Sequence, residues 1–96
     1  MTMKQRSICL RIIDHYGTEN QKRKGIEELV ELATELCHAL DGREDREAVV
    51  EELADVIVMS EQLRIIYGQA LVDSRVEDKL ERMVERMSGI RERDNR

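Results

Sequence analysis

Apolar residues recur at helical spacing in four stretches of the chain, and glycines punctuate them. In the first stretch Ile8, Ile12, Ile13 and Tyr16 share one face, which predicts a helix over residues 4–16. Gly17 stands where a C-terminal cap belongs. Thr18-x-x-Gln21 reads as a capping box that opens a second helix. That helix carries Ile26, Leu29, Val30, Ala33, Leu36, Cys37 and Leu40 as an amphipathic stripe, and Asp41-Gly42 ends it. A short charged link, 43–45, leads into a third helix over 46–67, capped by Gly68. Ser74-x-x-Glu77 reads as another capping box, opening a fourth helix over 75–87 that Gly89 closes. The tail, 90–96, is charged and expected to fray. Four helices with short links predict an all-α, four-helix antiparallel bundle built as one domain over 1–96.

The third helix adds an expectation. On a wheel of about 100° per residue, Val49, Leu53, Val56, Leu63 and Tyr67 form a stripe. Val50, Ala54 and Ile57 widen it, while Val58 and Ile65 lie well off it. A helix apolar nearly all round is buried on several sides. One 96-residue bundle offers little material to cover it, so completion by a second subunit, in a homodimer or homotetramer, is expected. The plainer alternative leaves Val58 and Ile65 as single exposed apolar residues.

Composition narrows the class. Proline, phenylalanine and tryptophan are absent, 39% of residues are charged and 41% hydrophobic, which suits a compact helical protein and not a disordered one. The net charge of −5 gives no general attraction for nucleic acid or anionic membrane. The longest apolar run, Val56 to Met59, is far short of a membrane span. Arg11 and Asp14 interrupt the N-terminal apolar run, which is therefore no signal peptide, and a cytoplasmic location is expected. Cys9 and Cys37 read as small buried hydrophobes in a reducing compartment.

The candidate chemistry lies in two short carboxylate pairs, Glu28-x-x-Glu31 and Glu52-x-x-Asp55. Residues three apart on a helix are neighbours on one face. If the two helices pack together, four acids converge, repel one another, and call for protons or a cation. An all-oxygen cluster suits a hard ion such as Mg²⁺, with Mn²⁺ an alternative. Taken alone, Glu28, Glu31 and Glu35 lie opposite the apolar stripe and read as a solvated face. Glu52 falls between Met59 and Leu63 on the wheel, where a carboxylate is costly without a partner. Glu35-x-x-His38 matches the unit of carboxylate-bridged di-iron bundles, but such a site needs two units and His15 has Ile12 three residues before it. His38 is therefore read as a helix-surface histidine. The chain has no Gly-rich phosphate loop, no Cys-x-x-Cys and no nucleophile–histidine–acid set.

The run Glu27-Glu28-Leu29-Val30-Glu31-Leu32, followed by Glu51 to Asp55 as EELAD, resembles the MazG-like all-α nucleoside triphosphate pyrophosphohydrolases. The family signature is ExxE, a spacer, then ExxD, and twenty residues separate Glu31 from Glu52 here. The resemblance implies a helical dimer or tetramer whose four carboxylates, at Glu28, Glu31, Glu52 and Asp55, bind Mg²⁺. It also implies cleavage of a nucleoside triphosphate between the α and β phosphates, giving a monophosphate and pyrophosphate. Many members carry a Lys…Arg helix after the ExxD helix, which Lys79 and Arg86 match, although Met83 stands where an Asn is frequent. By that likeness Lys79 and Arg86 hold the outgoing pyrophosphate through charge-assisted hydrogen bonds. The residues suit such chemistry on their own account. Phosphoryl transfer needs neutralised charge and alignment, and either Glu31 or Glu35 is placed to act as general base toward the attacking water. Two rivals stand beside this reading. One is a non-catalytic helical dimerisation module; the other is a related pyrophosphatase for phosphoribosyl-ATP or a single deoxynucleotide.

Overall fold

The computed structural model describes residues 1–89; the expectation of a frayed tail concerns residues 90–96, outside the described ones. Four helices follow in order: α1 (Met3–Tyr16), α2 (Thr18–Leu40), α3 (Arg46–Tyr67) and α4 (Gln69–Met87). Among the described residues there is no strand, and no helix is long and apolar enough to cross a membrane. Met1–Ile66 form one compact unit and a second begins at Tyr67.

Local chemistry sets the helix ends. Thr2 and Gln5 form a capping box at the start of α1, each side chain bonded to the other's backbone N–H. Gly17, at φ +91°, turns the chain out of α1 while its N–H still donates to Ile13 O. The capping box expected at Thr18 and Gln21 does not form. Gly17 is the cap of α2, and Gln21 turns inward to donate from Nε2 to Gln62 Oε1 at 2.8 Å. Asp45 caps α3, its carboxylate accepting from the Ala48 N–H. The box expected at Ser74 and Glu77 also fails, because Gly68, at φ +114°, already breaks the chain and α4 begins at Gln69. Ser74 lies inside the helix.

In the first unit α2 and α3 form an antiparallel hairpin about Asp41–Gly42. Gln21 meets Gln62, and Gly25 lies against Met59 and Leu63. A Cβ on Gly25 would come 3.3 Å from Leu63 Cδ1, so glycine lets the helices approach closely there. Cys9 of α1 is buried near enough to Glu61 of α3 for that carboxylate to help raise its thiol pKa, after burial itself.

The faces are not those the pattern predicts. On α2 the inward positions are Gln21, Gly25 and Glu28, then half-buried Leu32, Glu35 and Ala39. The whole expected stripe, from Ile26 to Leu40, is exposed, Leu40 at 91%. The reason is geometric. The turn, the Gln21–Gln62 bond and the close approach at Gly25 fix which side of α2 meets α3, and the apolar side falls outside. Cys37 is exposed with that stripe and is not a buried hydrophobe. On α1, Cys9 is buried while Ile8 and Tyr16 are exposed. On α3, Met59 is buried and Val49, Val56, Leu63 and Ile65 half-buried, whereas Val50, Leu53, Ile57, Val58 and Tyr67 are exposed. In the second unit α4 has no buried residue.

Candidate metal centre

The hairpin register brings the two acidic motifs together. Glu31 lies ten residues before Asp41 and Glu52 ten after Gly42; Glu28 and Asp55 lie thirteen away on either side. Each acid therefore meets its counterpart across the seam. Glu28, Glu31 and Glu52 offer carboxylate oxygens that all lie within 4.8 Å of one another. Asp55 stands beside this trio and interacts with Glu28 and Glu52. Glu28 is the most deeply placed, only 5% exposed, and Glu52 is half-buried. Glu31 and Asp55 sit on the exposed rim. This revises the reading of α2 taken alone: Glu28 is in the seam and not on a solvated face.

The electrostatics are those of crowded like charges. Burial, followed by the Glu31 carboxylate and then the charges of Glu28 and Asp55, pushes Glu52 up to about 7. Burial and the Glu28 charge raise Asp55 as well. Glu28, by contrast, is held below the usual carboxylate range, chiefly by the Lys24 ammonium, whose Nζ lies 3.1 Å from Glu28 Oε1. Its second oxygen, Oε2, and Glu52 Oε2 are both buried without a hydrogen-bond partner. Two buried acceptors without donors are the type of defect that folded proteins rarely keep.

A hard divalent cation suits this donor set. The donors are all oxygen, and in an octahedral Mg²⁺ site opposing ligand oxygens stand about 4 Å apart. At most one pair of three oxygens can stand opposed in such a site and the others are adjacent, about 3 Å apart, so the trio, within 4.8 Å of one another, must draw inward to share one ion.

The remaining sequence-chosen residues are placed as follows. Glu35 is half-buried, one turn beyond Glu31, with an oxygen 3.9 Å from His38 Nδ1. Lys79 and Arg86 are exposed on α4, two turns apart in the second unit. Sequence reasoning passed over Lys24, although Lys24-x-x-x-Glu28 has the spacing of a helical ion pair. It also passed over Gln62 and read Gln21 only as part of a cap, since no apolar pattern flags either. Compared with protein-family models, curated proteins and solved structures, the chain matches none.

Proposed function

We propose that the chain is a Mg²⁺-dependent nucleoside triphosphate pyrophosphohydrolase of the MazG-like kind, working in the cytoplasm as a homodimer or homotetramer. One observation carries the reading: two buried carboxylate oxygens, Glu28 Oε2 and Glu52 Oε2, lack a partner beside a third carboxylate. Glu28, Glu31, Glu52 and Asp55 would hold the ion. Bound there, Mg²⁺ supplies neutralisation of phosphate charge and acidifies a water. Glu31 on the rim, or Glu35 one turn on, accepts the proton of the water that attacks the α-phosphorus. The MazG-like resemblance gives Lys79 and Arg86 of α4 the role of holding the outgoing pyrophosphate.

The outward apolar faces support self-association. The exposed stripe of α2 and the exposed Val50, Leu53, Ile57 and Val58 of α3 make a broad apolar surface, of the type that marks an interaction site. A second copy covering it completes the bundle. The same surface favours the rival reading of an interaction module without catalysis, so the deciding experiment is chemical. A panel of nucleoside triphosphates, with phosphoribosyl-ATP included, is assayed for pyrophosphate release with Mg²⁺ and with chelator. Release from at least one substrate, abolished by chelator, is expected. No release from any, together with no Mg²⁺-dependent rise in melting temperature, leaves the interaction module.

A further inference from the structure

Lys24 holds two carboxylates at once. Its Nζ is 3.1 Å from Glu28 Oε1 and 3.5 Å from Glu27 Oε2. The two seats differ. Glu28 is buried in the seam, its other oxygen unpartnered. Glu27 is exposed and lines, with Lys24, Tyr16, Gln21 and Met59, a cleft of about 560 Å³. The Lys24 side chain is 53% exposed, so its flexible stem reaches either seat while the ammonium stays hydrated.

A divalent ion bound by Glu28 brings two positive charges next to the oxygen that Lys24 holds. Like charges at that range repel, and the doubly charged ion wins the carboxylate. The bond to Glu27 is already made and stays available. We propose that Lys24 is an exchangeable counter-ion, which neutralises Glu28 in the empty site and passes wholly to Glu27 when a divalent cation enters. The inference rests on the carboxylate cluster being a cation site. Glu27 is the acidic residue of the cleft lining, beside the basic Arg23 and Lys24, so the transfer draws the ammonium toward the cleft without changing the net charge of its lining.

Binding calorimetry of Mn²⁺ to the full chain tests the exchange. Lys24→Met removes the competitor and tightens Mn²⁺ binding by about two- to fivefold, the scale of a half-exposed ion pair. Glu27→Gln removes the second seat and weakens binding by a similar factor. The two act through one ammonium, so Glu27→Gln has no effect in the Lys24→Met background. A plain field effect of Glu27 instead weakens binding equally in both backgrounds and overturns the exchange. Mn²⁺ binding that Glu28→Gln abolishes but Lys24→Met leaves unchanged also overturns it, while keeping the cation site. No Mn²⁺ binding by the wild type removes the cation site and the exchange together.

Discussion

The α2–α3 seam is polar at both ends, and the two ends differ in one respect. Far from the turn, Gln21 and Gln62 are buried, Gln62 to 1% exposure, and their amides bond at 2.8 Å. Nearby, buried Glu61 receives Arg64 through two N–H donors at 2.9 and 3.0 Å. Near the turn, Glu28 and Glu52 bury oxygens that nothing satisfies. The helices and the register are shared and both ends bury polar atoms, so burial of polar groups is not what distinguishes a site. Unused hydrogen-bonding capacity is. A satisfied pair fixes the register; an unsatisfied one leaves a place for something from outside.

Exchanging charge for shape at the unsatisfied end tests this contrast most strongly. Glu28→Gln, Glu52→Gln and Asp55→Asn are each expected to lower Mg²⁺-dependent pyrophosphate release by about 100-fold or more, the scale of a lost charge-stabilising group. Each also removes the rise in melting temperature that Mg²⁺ gives. Glu52→Gln is expected to stabilise the cation-free protein, since it relieves repulsion. Glu47→Gln, on the exposed first turn of α3, is the control and changes nothing. Turnover by Asp55→Asn at the wild-type rate would remove Asp55 from the site. At the satisfied end the signature inverts. Gln62→Ala opens a cavity and orphans Gln21, costing about 2–4 kcal/mol, yet the Mg²⁺ shift persists. A Gln62→Ala protein that melts like the wild type would show that the amide pair is not what fixes the seam.

The outward faces come next in size. Leu29→Glu on α2 and Leu53→Glu on α3 place charges on exposed apolar positions. Burying one such leucine is worth about 1.5–3 kcal/mol, so each substitution is expected to weaken self-association by roughly tenfold or more. Light scattering at micromolar concentration should give at least a dimer for the wild type. A monomeric, stably folded wild type would remove the homo-oligomer from the proposal and leave the seam comparison intact.

Much of this was legible in the sequence, and the misses share a cause. Helices α1 to α3 fall within a residue of their expected bounds, because the glycines that break the chain between them act locally. The meeting of Glu28 and Glu31 with Asp55 and Glu52 follows from their equal spacing about Asp41–Gly42. The facing of α2 was not legible. Amphipathic patterning assumes that the apolar side turns to the chain's own core, and here that side lies outside while Gln21, Gly25 and Glu28 face α3. The start of α4 was missed by six residues because a serine motif at Ser74 outweighed the stronger break at Gly68. Lys24 escaped although its spacing to Glu28 is that of a helical ion pair, because the pair stands out from other surface pairs only once Glu28 is known to be buried.

The finest test of the contrast is the pH dependence of the cation-free protein. Glu52 ordinarily titrates near 4.5 and in the fold is pushed up to about 7, by burial first and then by the neighbouring carboxylates. The folded state therefore binds protons more readily than the unfolded one. The stability this contributes is fully present below the ordinary value and is lost as pH rises through about 7. Asp55 is shifted the same way. Glu28, lowered by Lys24, acts in the opposite sense: its contribution is present above its ordinary value of 4.5 and lost as pH falls through its depressed one. Glu61, lowered by Arg64, behaves likewise, so neither offsets Glu52 between 4.5 and 7. In chelator the melting temperature is expected to fall from pH 5 to pH 7.5, by less than any substitution above. Glu52→Gln should flatten that slope, and Gln62→Ala should leave it, since Gln62 carries no titrating group and the shift of nearby Glu61 acts below this interval. With saturating Mg²⁺ the slope should reverse, because the ion binds the deprotonated acids. A cation-free melting temperature that is level or rising across this interval would mean that the carboxylates do not crowd one another in solution.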